Sequence, residues 1–212
     1  PLIILTFAFI AFYYQVKEHN ITSLQKHMNK SLKIDLNNFI ESSVRVARLI
    51  SDDFYAEDPS EIQIELLKQL HSTSLFDEAS MFNKEGREIA SRSKIHTNLI
   101  PATELTSSEM KEIISYGYMI SEPVHNNYTN SYFVNIITLL KDNKGYYGFL
   151  KMGVDINKYI NYLTRYRINE FLNVYLVDNQ GAIIAVNDSY SQNIIQSQKM
   201  NTGIRNYLNG KY

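Results

Sequence analysis

The sequence predicts an α+β fold: a long N-terminal helix followed by tandem units, each built on a five-stranded antiparallel sheet, with the second unit truncated within the 212 residues. Three observations predict it. From Ile21 to Phe54 the apolar residues recur every third or fourth position, at Ile21, Leu24, Met28, Leu32, Leu36, Phe39, Ile40, Val44, Ala47, Ile50 and Phe54, the stripe of one helix. Three strand-like runs follow one another with turn residues between them. And Ser80–Ser91 aligns without a gap on Tyr175–Val186, so that Gly86 falls on Gly181 and Ile89-Ala90 on Ile184-Ala185. In each copy an apolar run meets an Asn/Asp-x-x-Gly turn and a second apolar run, which reads as one hairpin duplicated 95 positions on.

The elements follow in order. Residues Pro1 to Tyr14 carry no charge and end in Tyr13-Tyr14 before the polar Gln15 to Asn20. They are too few to cross ~30 Å of hydrocarbon alone, and we read them as the end of a transmembrane helix with an aromatic interfacial edge. No Gly or Pro separates them from the stripe, so helix should run on through a spine at 15–56, at ~1.5 Å per residue. Asp58-Pro59-Ser60 stops it, and a second helix runs from Ser60 to about Ser72 with Ile62, Leu66, Leu67 and Leu70 inward. After the first hairpin comes a loop, Ser93 to Thr103, and then Thr106-Ser107-Ser108-Glu109, which resembles a helix N-cap. That helix ends at Tyr116-Gly117. The three strands are Tyr118–Val124, Tyr132–Leu140 and Tyr146–Ile156, and Asp155-Ile156-Asn157 opens a further helix through about Arg167. The second copy begins with the hairpin at Asn173.

Composition narrows the function. A net charge of −1 and no Lys/Arg block longer than two disfavour nucleic acid as a partner. No cysteine is present, which excludes disulfides and thiolate metal sites. There is no glycine-rich phosphate loop, the five His form no metal-ligand pair at helical spacing, and no catalytic residues, cofactor or metal are expected.

Ile120-Ser121-Glu122-Pro123, then Ile136-Ile137-Thr138-Leu139-Leu140-Lys141-Asp142, then Gly148-Phe149-Leu150-Lys151-Met152-Gly153-Val154-Asp155-Ile156 resemble, in order and spacing, motifs of the double CACHE sensor domains of bacterial receptors. The resemblance covers nearly the whole chain. It implies two PAS-like units: a membrane-distal sensor unit with its connecting helix at 57–167 and the start of a membrane-proximal unit at 168–212. It also implies an extracytoplasmic, periplasmic domain anchored in the bacterial cell membrane, a homodimer through the long helix, and a small-molecule ligand in the distal unit. The output, a histidine kinase or diguanylate cyclase or else a chemoreceptor's coiled coil, would lie outside this region, which is itself no enzyme. A structural or adhesion domain whose cavity is filled by side chains is the alternative.

By that resemblance Asp155 matches the aspartate that receives a ligand's ammonium group in amino-acid-binding members. A carboxylate ending an apolar strand is costly to bury unless a cation or several donors meet it, but Asp is equally at home capping the helix that starts at Ile156 or Asn157. Both readings stand. The Arg-x-Trp-Tyr cluster those members use to grip a carboxylate is missing: the stretch here is Leu105 to Glu112, and the chain has no Trp. Val124-His125-Asn126 also replaces their Tyr-x-Asp. A standard amino acid is therefore disfavoured. The remaining candidate ligand residues are Ser80, Met81, Arg92, Tyr118, Glu122, His125, Tyr132, Asn135 and Tyr147. Each tyrosine could instead simply cover the sheet, and Arg92 could be solvated at the surface.

Overall fold

A computed structural model describes residues 2–56, 58–94, 103–126, 129, 131–160, 175–177 and 183–186, with α1 side chains only beyond residue 19. Helix α1 (Leu2–Asp53) is uninterrupted for 52 residues, as the unbroken stripe requires. No helix among the described residues is long and apolar enough to cross a membrane. The chain divides into two compact units, residues up to Ser42 and residues from Ser43 onward. The first is helix throughout; within it Met28, Leu32, Leu36 and Phe39 are half-buried while Leu24 and Ile34 are exposed.

The second unit opens with the last turns of α1, where Val44, Ala47 and Ile50 are buried. Helix α2 (Pro59–Ser72) starts one residue earlier than expected, because Asp58 supplies the cap and proline is favoured in the first turn. Ile62, Leu66 and Leu70 form its buried stripe. Helix α3 (Ser107–Tyr116) carries the full capping box: the Thr106 hydroxyl accepts from the Glu109 N–H and the Glu109 carboxylate accepts from the Thr106 N–H. Gly117, at φ 80°, closes it in the left-handed conformation.

Strands β1 (Glu78–Asn83), β2 (Glu88–Ser93), β3 (Tyr118–Ile120), β4 (Val124–Asn126), β5 (Ser131–Asp142) and β6 (Gly145–Asp155) form one antiparallel sheet in the order β2-β1-β6-β5, with β3 and β4 both on the outer edge of β5. The expected five strands are thus five positions filled by six strands. The single strand expected over 118–124 is interrupted because Pro123 has no N–H for the ladder. Three residues, 121–123, stand between Ile120↔Ile136 and Val124↔Phe133, where β5 has only two. Ser121 bridges the gap: its N–H donates to the Asn135 carbonyl at 2.8 Å and its hydroxyl accepts the Asn135 N–H at 3.0 Å.

The duplicated hairpin is visible in the register. Met81 pairs with Ala90 and Phe82 with Glu88, a shift that leaves Ile89 as the extra residue. In β7 (Tyr175–Val177) and β8 (Ile183–Val186), Leu176 pairs with Ala185 and Val177 with Ile183, the same pairs and the same shift 95 positions on, in a separate two-stranded sheet. In the first copy the Asn83 side chain accepts the N–H groups of Glu85 and Arg87, and Gly86 adopts φ 78°. Residues 156–160 are helical as expected. The rest of that helix to Arg167, the loop 95–102 and most of the segment 168–212 lie outside the described residues.

Candidate functional site

Alternation along paired strands sorts the sheet into two faces. Asp155 lies opposite Phe133; Gly153 lies opposite Asn135 on one side and Glu78 on the other; Lys151 lies opposite Ile137 and Ser80; Phe149 lies opposite Leu139 and Phe82. These residues share one face with Asn126 and Ser131 at its β4 end. Helix α3 covers part of it, Ile113 joining Phe82, Met119, Ile137, Leu139 and Phe149 in a buried cluster with Leu105 and Met110 beside them. The opposite face carries Ala79, Met81, Leu150, Met152, Ile136 and Thr138 and packs against α2 and the end of α1.

Beyond the α3 cluster the first face turns polar. Asn126 Nδ2 donates to Glu78 Oε1 at 2.7 Å. Ser131 Oγ donates to Asp155 Oδ2 at 3.4 Å. Gly153 lies between them, and a Cβ there would stand 3.2–3.3 Å from Phe133 Cδ1, Asn135 Oδ1 and Glu78 Cβ, so any side chain would push these neighbours outward by a few tenths of an ångström. Lys151 is the cation beside this polar end, 3.9 Å from Glu88 and donating to Thr103 Oγ1 at 3.2 Å. Behind the sheet's end, Asp77 is paired with Lys158 at 2.5 Å.

Burial dominates the electrostatics. It pushes the Glu78 carboxyl above its ordinary range against the opposing pull of Lys151 and the Asn126 hydrogen bond, with Asp77 and Asp155 adding to the rise. Burial likewise raises Asp155, opposed by the backbone N–H groups of Asn157 and Lys158. It lowers Lys151, partly offset by Glu88 and Glu78. Two carboxylates therefore sit where burial disfavours their charge. Asn157 Oδ1, two residues after Asp155, is buried with no partner among the described residues.

Asp155 does cap the helical turn at 156–160: its Oδ1 accepts the Asn157 N–H at 2.9 Å. Asn135 shares its face, half-buried. The other candidates are placed elsewhere. Met81 is buried on the opposite face. Arg92, also on that face, donates to Gln63 Oε1 of α2. Tyr118 lies under the Arg48 guanidinium, 4.5 Å from its ring centre. His125 and Tyr132 are cross-strand partners that meet edge to face, centroids 5.1 Å apart. Glu122 is exposed in the β3–β4 connection, where its carbonyl accepts the Ser121 hydroxyl. Tyr147 is the bulged residue between Leu140↔Gly148 and Lys141↔Tyr146, which turns it toward α1, and its hydroxyl donates to the Phe54 carbonyl at 2.6 Å.

Ser80 also lies on this face, opposite Lys151, whereas Glu78, Asn126, Ser131 and Lys151 are polar residues of the face that sequence reasoning missed. Counting back in twos from Asp155 through Gly153 finds Lys151, whereas Glu78 follows only from the long-range pairing of β1 with β6.

No protein-family profile matches the chain, and no curated protein matches it. Solved structures do. The ligand-binding domain of the Campylobacter jejuni chemoreceptor Tlp3 in complex with L-valine is similar over 78% of this chain and 73% of its own, with 11% identity and a TM-score of 0.53. The extracellular domain of a protein assigned as a histidine kinase, mmHK1S-Z3, is similar over 83% and 76%, with 11% identity and a TM-score of 0.52. The ligand-binding domain of the Pseudomonas aeruginosa PAO1 amino-acid chemoreceptor PctC, bound to GABA, is similar over 74% and 71%, with 12% identity and a TM-score of 0.50. At these identities the likeness shows the fold, and that fold is the one shared by CACHE-type sensor domains of chemoreceptors and histidine kinases.

Proposed function

We propose that this chain is the extracytoplasmic sensing region of a bacterial transmembrane receptor and that it binds a small molecule carrying a primary ammonium group. The observation that carries the reading is the polar end of the α3-covered face, where a half-buried Glu78 and a buried Asp155, whose charges burial disfavours, have Asn126, Asn135 and Ser131 around them. A buried carboxylate is stabilised by a cation that donates hydrogen bonds to it. L-valine and GABA, the ligands of two proteins with this fold, both carry such a cation. Lys151, the basic side chain of this face whose charge bears on Glu78, is already engaged by Glu88 and Thr103, so the site favours a cation over a zwitterion.

In this reading residues 1–14 end a membrane anchor, and α1 is the element that a second copy of the chain pairs with. The output is a histidine kinase, in keeping with the mmHK1S-Z3 likeness, or a diguanylate cyclase; a chemoreceptor is the second reading, favoured by the likeness to Tlp3 and PctC. A thermal-shift screen of monoamines, diamines, amino acids and carboxylates tests the sensing role. At least one amine raises the melting temperature in a dose-dependent way. A panel that leaves it unmoved at millimolar concentration assigns the domain a structural role instead.

A further inference from the structure

We propose that Arg48 couples helix α3 to α1, so that the cover of the polar face is tied to the long helix by one side chain. The inference rests on the sensing role proposed above only for its purpose, since the coupling itself is a property of the empty protein. Helix α3 has no basic residue in its last turn, although the unpaired carbonyls and the dipole there favour a cation. Arg48, 68 positions earlier and on another helix, supplies it: Nη2 donates to the Tyr116 carbonyl at 3.1 Å. The same guanidinium lies 4.5 Å from the centre of the Tyr118 ring, on the first residue of β3, just past the Gly117 cap. It also passes over Gly117 itself, where an added Cβ would meet Nη2 at 3.5 Å. One planar group thus touches residues on both sides of the α3–β3 junction, a job a lysine ammonium does less well because it cannot stack and hydrogen-bond in fixed geometry together.

At its other end α3 is wedged against the first hairpin. A Cβ on Gly86 would stand 2.8 Å from Met110 Sδ and 3.1 Å from the Leu105 carbonyl, and the Leu105 N–H donates to the Gly86 carbonyl. Met110 and Ile113 join α3 to the buried cluster of the polar face. A shift of α3 on that face pulls on the junction at Tyr116 and Gly117, where the Gly117 carbonyl also accepts the Leu139 N–H of β5 at 3.4 Å, and Arg48 passes the movement of Tyr116 to the last turns of α1. The C-terminal part of α1 is otherwise held to the sheet's opposite face by Ser51 on Thr138, and the residue just past its end by the Phe54 carbonyl, which accepts from Tyr147.

The test is a double-mutant cycle read by amide hydrogen exchange on the full chain without ligand. Met110→Ala loosens α3 from the face side; Arg48→Met removes the guanidinium and keeps the stem. In the Arg48 protein, Met110→Ala raises exchange of the amides at 43–53 on the order of fivefold, about the worth of one ordinary hydrogen bond; in the Arg48→Met protein it raises exchange within α3 and leaves 43–53 unchanged. Arg48→Lys, which keeps charge and folding, gives an intermediate transfer and stands in if Arg48→Met does not fold. Equal rises at 43–53 in both backgrounds, or no rise in either, overturn the coupling. Loss of amine binding with the cycle intact would overturn the sensing role and leave the coupling standing.

Discussion

Replacing Asp155 separates its two roles, because Asn and Ala differ in which role they keep. The carboxylate accepts the Asn157 N–H at 2.9 Å and so caps the helical turn at 156–160; Asn does this about as well as Asp, whereas Ala cannot. Losing a cap costs about 1 kcal/mol, which in a domain of this size lowers the melting temperature by roughly 2–4 °C. Relief of the desolvation that raises the Asp155 pKa works against that loss, so Asp155→Ala falls toward the small end. Asp155→Asn leaves the melting temperature of the empty protein level or slightly higher. Binding of an amine behaves differently. Both variants lose the charge that faces the ligand's ammonium, a loss of about 2 kcal/mol or more, or roughly thirtyfold in Kd. Melting curves with and without the amine found by the screen, followed by calorimetric titration, read both quantities. An Asn variant that binds with unchanged affinity while Ala lowers stability would reduce Asp155 to a cap and refute the ammonium role.

Glu78 carries the pH dependence. Its folded-state pKa is raised by burial, so the fold holds this proton longer than the unfolded chain does, and ionisation destabilises the fold at neutral pH; that cost fades as pH falls through the raised value toward the ordinary ~4.3. Glu78→Gln therefore raises the melting temperature at pH 7.5, loses that advantage by about pH 4, and weakens amine binding; a variant less stable at pH 7.5 would contradict the assignment. Gly148→Ala places a Cβ 2.3 Å from the Phe82 carbonyl, a backbone clash that forces β1 from β6 and costs ~3 kcal/mol or more, visible as a lowered urea midpoint. Tyr147→Phe deletes the bond to the Phe54 carbonyl and costs about 1 kcal/mol in the same assay, with amine affinity unchanged because the hydroxyl lies off the polar face.

The parts of the fold written in short-range chemistry were legible. Thr106 and Glu109 announce α3's start and Gly117 its end; Asn83 and Gly86 announce the hairpin turn; the uninterrupted stripe announces α1. The site was less so, because membership of a face depends on strand parity and a single bulge inverts it. Tyr147 stands two residues before Phe149 and by simple alternation would share its face, yet the irregularity at Leu140/Lys141 turns it to α1. Pro123 was a readable warning that the edge strand breaks, and with it that His125 and Tyr132 pair on the side away from Asp155. Glu78 was hidden because its role comes from β1 lying beside β6, a pairing that nothing local to residue 78 encodes.

Two routes lead from the polar face to α1, and their mechanics differ. One passes through the sheet: Ile137 packs under α3, and the next residue, Thr138, reaches through to the Ser51 hydroxyl while also approaching the Leu150 carbonyl at 3.3 Å. Ser51 in turn contacts the Ala47 carbonyl at 2.9 Å, so two hydroxyl protons serve three contacts and one contact is always without its own proton. That arrangement anchors α1 to the sheet but conveys little, because β5 and β6 are locked by a ladder running from Phe133↔Asp155 to Asp142↔Gly145 and move as one plate. The other route runs around the edge, from α3 through Arg48. Helix α3 spans ten residues and presses one fully buried side chain, Ile113, into the sheet, so it is held by less burial than the plate. A pull at Arg48 then acts on α1's last turns against the Thr138 anchor, as the proposed coupling requires.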